Sequence, residues 1–546
     1  VAFKEAKILA KIVLAGFMGA GKTTVGRILS ALLHIPFVDT DALIEQRYGP
    51  IPRIFSEKGE AFFRKVEEGV VSEVLRGNSD MVVATGGGAL TSQKTLKAVF
   101  EKSVPVYLKC AEEVCFDRVK GTDRPLARDF ASFQKLFRAR RPVYESLPLF
   151  AETDRADASL VAEQIKAVVS ETNFDGIQKI VFKAEPLMET AKRMGNIVIT
   201  DKNVFSLYSI SHGSASYGGL YGDVFKGKSA IVLDPGERSK TLETVEHIYE
   251  KLLSLPISRE DVISYAGGGV VGDVAGFVSA TILRGVPLRA FPTTLLSVVD
   301  SAIGGKNGVN FKGVKNMIGT FYLPELTVIN PLFLNTLPGV EVLNGMGEVF
   351  KYALLSENGI FEEMEKLFSG GSRGAGGMRG TVNFHKSVRF SDILKRSISE
   401  KLSWIEGDLR DTKGKRAFLN LGHTVGHLVE KLTDFSVPHG EAVASGIIVS
   451  AFYAMKNGLL KGADFDRICA LYRAIGFDFD TISQLLRAKV ADGEALHRVL
   501  YMDKKRSGKE VLWILPVQFN RSAARRVQIS EVERTILEVI NENPCD

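Results

Sequence analysis

The apolar run Ile12-Val-Leu-Ala15 passes directly into Gly16-Phe-Met-Gly-Ala-Gly-Lys22-Thr23-Thr24, and a helical pattern continues from Val25 to Leu33. A strand, GxxxxGK(S/T) and a helix in immediate succession restrict the fold more than any other stretch of this chain. The motif works where a strand delivers a glycine-rich turn to a helix N-terminus, so it commits the first part of the chain to an α/β sheet. Backbone amides across Gly19, Ala20, Gly21 and Thr24 can face the phosphates of ATP, Lys22 reaches the β and γ oxygens, and the Thr23 hydroxyl can ligate Mg2+.

A phosphate loop identifies a donor and leaves the acceptor open. Phe37-Val-Asp39-Thr-Asp41 reads as a short strand ending in two carboxylates, one able to hold metal-bound water and the other to take a hydroxyl proton. Acidic residues at strand ends also serve as plain helix caps. Arg64 lies within Glu60-Ala-Phe-Phe-Arg-Lys-Val-Glu67, and the strand Met81 to Ala84 enters Thr85-Gly86-Gly87-Gly88. A triple glycine lets a ligand approach backbone closely, while an arginine offers a bidentate clamp for a carboxylate.

Together with Arg124-Pro-Leu126 and Arg140-Arg-Pro-Val-Tyr144, these segments resemble shikimate kinase, in order, over roughly residues 8 to 165. The resemblance implies that Asp41 contacts and deprotonates the shikimate hydroxyl and that Asp39 approaches Mg2+ through water. Arg64, Arg140 and Gly86 to Gly88 would hold the substrate, Arg118 would lie beside the adenine, and Arg124 would ride on a lid over the phosphates.

At 546 residues the chain exceeds one hydrophobic core, and a prior of about 150 residues per domain suggests three or four lobes. A formal charge of +6 without a basic block interleaved with aromatics gives no nucleic-acid footprint. Cys110, Cys115, Cys469 and Cys545 show neither CxxC nor zinc-ribbon spacing and are expected to be reduced thiols of a cytoplasmic protein. No apolar run approaches the roughly 18 residues of a membrane span, and no signal-peptide pattern opens the sequence. A break near Glu171 to Gly176 sets expected boundaries: 1–170 for the phosphate-binding domain, 171–177 for a linker, 178–325 for a second α/β lobe and 326–546 for a helical lobe.

In the second α/β lobe, the short apolar runs Asn196 to Thr200, Ser229 to Leu233, Asp261 to Ala266 and Leu288 to Phe291 alternate with helical stretches. Gly267-Gly268-Gly269-Val270-Val-Gly272-Asp273 follows one run and opens a helix, a weak dinucleotide signal that still permits a pyrophosphate against backbone amides. Beyond it lie Arg284, Thr293-Thr294, Val299-Asp300-Ser-Ala-Ile-Gly-Gly-Lys306 and Lys315-Asn316. The helical lobe carries Glu348, three residues before Lys351, and three of the eight histidines in Leu419-Asn420-Leu-Gly-His423-Thr-Val-Gly-His427 and Pro438-His439-Gly-Glu441. His423 and His427 share a helix face, and His439 or a carboxylate could complete a metal site; ordinary hydrogen-bonded histidines are the alternative. A glycine-rich stretch, Ser369 to Gly380, is expected to be a mobile loop, and its residues point to no particular chemistry.

These segments resemble 3-dehydroquinate synthase over about residues 178 to 540. The resemblance replaces the helix-face pair with Glu348, His423 and His439 as ligands of Zn2+ or Co2+, and puts His427 in the substrate pocket. It implies that Asp201, Glu237, Lys240, Gly268, Gly269, Val270, Asp273, Thr293, Thr294, Asp300 and Lys315 hold NAD+. It assigns Lys306, Asn316, Lys351, Lys401, Arg416, Asn420 and Lys504 or Lys505 to a heptulosonate 7-phosphate, with Arg284 reaching across a homodimer interface. Lys22, Arg124, Lys306, Asp300, Lys351, Lys401 and His427 join Asp41 as expected catalytic groups.

The expected whole is an α/β chain: a P-loop kinase domain with a parallel sheet, an NAD-binding α/β lobe and an α-helical metal-binding lobe. Its expected partners are small molecules only, with neither nucleic acid nor membrane. A polyol dehydrogenase in the second half, another small-metabolite kinase in the first, and a catalytically dead nucleotide-sensing scaffold are the competing readings. The charged clusters count against the scaffold, since buried charges without a ligand cost several kcal/mol.

Overall fold

In the computed structural model, which describes residues 11–77, 79–121, 129–154, 156–174, 176–209, 221–368, 384–490, 496–497, 500, 506–507, 509–518 and 520–545, the first sheet grows around the fully buried strand β1 (Lys11–Ala15). The chain continues through α1 (Lys22–Leu33), β2 (Phe37–Asp39), α2 (Thr40–Tyr48), α3 (Ile51–Arg76), β3 (Met81–Ala84), α4 (Gln93–Lys102), β4 (Ser103–Lys109), α5 (Glu112–Val119), α6 (Phe130–Glu145), β5 (Leu149–Glu152) and α7 (Ala158–Val169). The strand order is β2-β3-β1-β4-β5, all parallel. Every residue of β1 is buried because helices cover both faces of a parallel sheet, which is why the run carries no polar alternation.

The second sheet starts with β6 (Thr172–Phe174) inside the stretch expected as a linker; it pairs antiparallel with β7 (Ile180–Phe182). There follow α8 (Leu187–Lys192), β8 (Ile197–Asp201), α9 (Lys202–Tyr208), β9 (Ser229–Leu233), α10 (Leu242–Leu253), β10 (Ile263–Gly267), α11 (Gly269–Thr281) and β11 (Leu288–Pro292). A hairpin, β12 (Lys306–Phe311) with β13 (Val314–Phe321), precedes β14 (Leu326–Ile329). The order β6-β7-β14-β11-β10-β8-β9 is parallel apart from β6. Its register sets Asp201, Gly267 and Pro292 level at the carboxyl ends of adjacent strands, the edge where open α/β sheets bind ligands.

The last lobe packs α12 (Gly339–Leu355), α13 (Ile360–Phe368), α14 (Val388–Ile405), α15 (His423–Leu432), α16 (His439–Lys456), α17 (Gly462–Ile475) and α18 (Phe479–Val490) around one apolar core. It also carries an antiparallel sheet, β15 (Arg506–Ser507), β16 (Glu510–Gln518) and β17 (Arg521–Gln528), before α19 (Ile529–Glu542), so the lobe is not helical throughout. The chain end returns beside α17, where Cys545 is disulfide-bonded to Cys469 across a Cα separation of 5.2 Å. This corrects the expectation of four reduced thiols; Cys110 and Cys115 are free and buried. The Cys469–Cys545 pairing was hidden because 76 residues separate partners that only tertiary packing brings together. Among the described residues no helix is long and apolar enough to cross a membrane. The stretch 369–380 lies outside them.

Candidate functional sites

In the first half, the turn after β1 brings Lys22 back over its own loop, donating to the Gly16 and Phe17 carbonyls at 2.8 and 2.9 Å. Asp39 caps α2 through Oδ1, which accepts from Asp41 N, while its Oδ2 accepts from the Thr23 hydroxyl at 2.7 Å. Two hard oxygen donors thus meet at the loop, a donor set suited to Mg2+. Arg118 donates to Gly19 O at 3.2 Å and to Thr153 O at 2.8 Å, beside the same loop.

The Gly86 to Gly88 turn is the hinge of this site. A Cβ on Gly86 would lie 2.6 Å from Asp41 Oδ1, one on Gly88 2.3 Å from Arg64 Nη1, and one on Gly87 3.3 Å from Met18 N. Glycine therefore lets one turn touch the phosphate loop on one side and Asp41 and Arg64 on the other. Arg140 donates to Gly87 O at 2.8 Å, so both arginines and Asp41 converge on the turn. Buried Glu67, which the reading of motifs passed over, accepts from Arg64 at 2.6 Å; its i,i+3 spacing from Arg64 was the available signal. Burial pushes the Glu67 carboxyl up, Arg64 works against that, and the nearby Asp41 adds to the rise. Arg124 lies outside the described residues.

In the second half, Asp201 caps α9, Lys240 is ion-paired with Asp273, and Glu237 accepts from Asn310 at 2.8 Å. Burial pushes the Asp273 carboxyl up to about 6 in spite of Lys240. Gly268, Gly269 and Val270 open α11, with Gly268 against Thr294 and Gly269 against Ser301. The Thr293 and Ser301 hydroxyls are buried there without a partner among the described residues, which suits a missing polar group such as a dinucleotide. Asp300 sits on the π-turn Ser297–Ser301, where it accepts from Lys401 and from the Tyr352 hydroxyl, each at 2.7 Å, with Lys351 at 3.9 Å. Burial alone would raise the Asp300 carboxyl; Lys401 overrides it and holds the group at about 2. Tyr352 belongs to the motif around Lys351, yet nothing in its spacing marked it.

Glu348 is fully buried, and its Oε1 lies 3.4 Å from His423 Nε2 and 3.2 Å from His439 Nε2; its other oxygen is ion-paired with Lys351. One ligand atom from each of Glu348, His423 and His439 falls within 4.8 Å of the others. Glycines make this possible: a Cβ on Gly347 would stand 2.0 Å from Gly440 O, and one on Gly440 1.7 Å from Asn344 O, so α12 and α16 touch backbone to backbone. Burial would lower the His439 imidazolium, but the Glu348 and Glu430 carboxylates beside it push it up to about 10. The centre thus favours positive charge, and the nitrogen and carboxylate donors fit a borderline divalent ion such as Zn2+ or Co2+. His427 stands beside the pair, its ring centroid 5.4 Å from His423 and 6.4 Å from His439.

The remaining expected groups ring this centre unevenly. Lys306 pairs with Asp411 at 2.8 Å, Arg416 donates to Leu409 O, and Asn420 to Ala417 O at 3.0 Å. Lys315 lies 3.5 Å from Glu430, and the backbone N of Asn316 donates to Asn310 Oδ1 at 3.0 Å. Arg284 is exposed at the end of the turn Ile282–Arg284, whose Ile282 is buried. Lys504 and Lys505 lie outside the described residues. Glu430 and Gln178 emerge from the structure alone; Gln178 accepts from Gly304 N at 2.9 Å and donates to Ala302 O at 2.8 Å, bracing the loop between Asp300 and Lys306.

Comparison with known proteins follows the same division. The shikimate kinase family model matches residues 18–170, that of the 3-dehydroquinate synthase N-terminal region 230–344, and that of its C-terminal region 345–506. The 3-dehydroquinate synthase of Pyrococcus furiosus is 38% identical over 323 residues, 58% of this chain and 85% of that protein. A solved 2-epi-5-epi-valiolone synthase from Streptomyces hygroscopicus, with NAD+ and Zn2+ bound, shares the fold with a TM-score of 0.54 at 24% identity, covering 68% of this chain and 98% of that one. A bifunctional shikimate kinase/3-dehydroquinate synthase of Thermotoga maritima is 33% identical over 463 residues, 82% of this chain and 86% of the relative. Matched through both halves by a single relative of that kind, this protein belongs to the bifunctional shikimate kinase/3-dehydroquinate synthase family.

Proposed function

We propose that the two reactions of the family run at the two sites described, with the residues assigned there. In the first, ATP phosphorylates shikimate to shikimate 3-phosphate; in the second, 3-deoxy-D-arabino-heptulosonate 7-phosphate becomes 3-dehydroquinate with release of phosphate. The observation that carries the reading is the juxtaposition of the buried Glu348, His423 and His439 group with the Asp300, Lys351 and Lys401 cluster, a seat for a divalent ion beside a seat for an anionic polyol.

In the kinase half, Lys22 and the amides from Gly19 to Thr24 bind the phosphates, and Thr23 with Asp39 would hold Mg2+. Arg64 and Arg140 clamp the shikimate carboxylate against the glycine turn, leaving Asp41 to take the hydroxyl proton. In the synthase half, Glu348, His423 and His439 would hold Zn2+ or Co2+, and the strand ends from Asp201 to Thr294, with Glu237, Lys240, Asp273 and Lys315, would hold NAD+. When bound, the dinucleotide takes up and returns a hydride and the metal ion supplies Lewis acidity at the alcohol that releases it. Lys351, Lys401, Arg416 and Lys306 bind and orient the substrate's carboxylate and phosphate, while Asp300 holds two of those lysines apart and in place.

The protein works in the cytoplasm on small molecules, without nucleic acid or membrane, and as a homodimer. The dimer reading is supported by the side chains of Phe311, Val314, Met317 and Phe321, which are exposed on the β12–β13 hairpin. ADP release with shikimate, run beside phosphate release from the heptulosonate phosphate, tests both halves. Net NADH accumulation in the second assay would replace the synthase with a polyol dehydrogenase. After chelation and return of Mg2+ alone, loss of phosphate release with ADP release intact is the expected metal dependence of the second site.

A further inference from the structure

The two imidazoles at the Glu348 centre are held from behind in different ways. Each turns Nε2 toward Glu348. Behind His423, Nδ1 meets the Leu421 carbonyl at 3.2 Å, a contact made by the turn that starts its own helix. Behind His439, Nδ1 meets Glu430 Oε2 at 3.5 Å, a contact that crosses from α16 to α15. The second oxygen of Glu430 lies 3.5 Å from Lys315 Nζ, on the hairpin of the other lobe. Only 9% of the Glu430 side chain is exposed, so this carboxylate is built into the joint between the lobes instead of facing water.

A histidine that offers Nε2 to an ion must carry its proton on Nδ1, and an acceptor placed there fixes both tautomer and ring orientation. We propose that Glu430 is a positioning residue: it accepts from His439 Nδ1, aims the Nε2 lone pair at the ion shared with Glu348 and His423, and through Lys315 ties that imidazole to the cofactor side of the cleft. The inference rests on reading Glu348, His423 and His439 as metal ligands and adds the group that sets the weakest-anchored of the three. His439 needs that support because 30% of its side chain is exposed against 13% for His423, whose Nδ1 already meets the carbonyl of Leu421 just before its own helix.

The test uses the full chain stripped of metal and titrated with Co2+, read by its visible d–d absorption and by competition with a chelator. Glu430→Ala is expected to weaken Co2+ binding about 10- to 100-fold and to shift the absorption band. Glu430→Gln, whose amide oxygen still accepts from Nδ1, should lose less and keep the parent band. Melting of the metal-free variants at the parent temperature shows that the lobe is folded; should Glu430→Ala fail to fold, the Gln variant decides, by weakened binding or none. Parent affinity and spectrum in the folded variants overturn the proposal. Co2+ uptake by the parent that His423→Ala leaves untouched would overturn the ligand assignment, and this proposal with it.

Discussion

Asp41 and Asp39 look interchangeable in sequence, and single atoms separate them. Asp39 has committed one oxygen to the α2 amides and the other to the Thr23 hydroxyl, whereas Asp41 lies against Gly86, in the turn that Arg64 and the phosphate loop also border. Asp41→Asn keeps the shape and removes the proton acceptor, so shikimate-dependent ADP release should fall about 10²- to 10⁴-fold with synthase turnover unchanged. A kcat near that of the parent would move the base elsewhere. A second residue prediction concerns stability. Burial, with Lys386 beside it, pushes the His385 imidazole down to about 4, and its Nε2 is buried without a partner among the described residues. Between that value and about 6.5 the unfolded chain binds a proton that the folded chain refuses, so stability is lost as pH falls through this window. Urea unfolding at pH 7 and pH 5 should show about 2 kcal/mol more acid loss in the parent than in His385→Phe; equal losses in both would remove His385 from the account.

Elements explain how much of this could be read in advance. The phosphate loop was legible because strand, turn and helix are contiguous, and the strands β8 to β11 showed as short apolar runs for the same local reason. The metal group was not legible by periodicity: helix spacing points to His423 with His427, while Glu348 and His439 reach His423 only because α12 and α16 cross at Gly347 and Gly440. The resemblance supplied the trio that spacing could not. Glu430 and Tyr352 were invisible because an ordinary helix carries such residues on any face, whereas β15 to β17 went unread although Ser507-Gly508 and Asn520 punctuate the apolar run of β16. Gly347→Ala tests the crossing. Its methyl would meet the Gly440 carbonyl, and backbone cannot swing aside as a side chain can, so the helices must part at a cost of about 1–3 kcal/mol. Zinc content after dialysis should fall together with phosphate release, while ADP release holds. Retention of a full equivalent of zinc would show that the close approach does not set the ligand spacing.

Across the whole molecule, the two catalytic halves are separate in chemistry and joined in structure. One apolar cluster runs from Val161 and Ile165 of α7 to Ala184, Leu187, Phe333 and Val388 of the synthase half. Lys395 on α14 donates to Ala167 O at the end of α7, and the same helix carries Lys401 to Asp300. Immediately after β6, Gln178 is 2% exposed and braces the loop from Asp300 to Lys306, so the segment that leaves the kinase half helps to hold the synthase site. Gln178→Ala would strand the buried Gly304 N–H and remove the donor to Ala302 O, at about 1–3 kcal/mol for each unsatisfied group. The loss falls on a loop that must hold Lys306 and Asp300 in register, so kcat/KM for phosphate release should drop at least tenfold. ADP release with shikimate should stay at the parent value, because none of the atoms braced by Gln178 belongs to the first site. A parallel fall in both activities would mean that the halves unfold as one cooperative unit, and synthase turnover equal to the parent's would mean that the join holds the halves together without shaping either site.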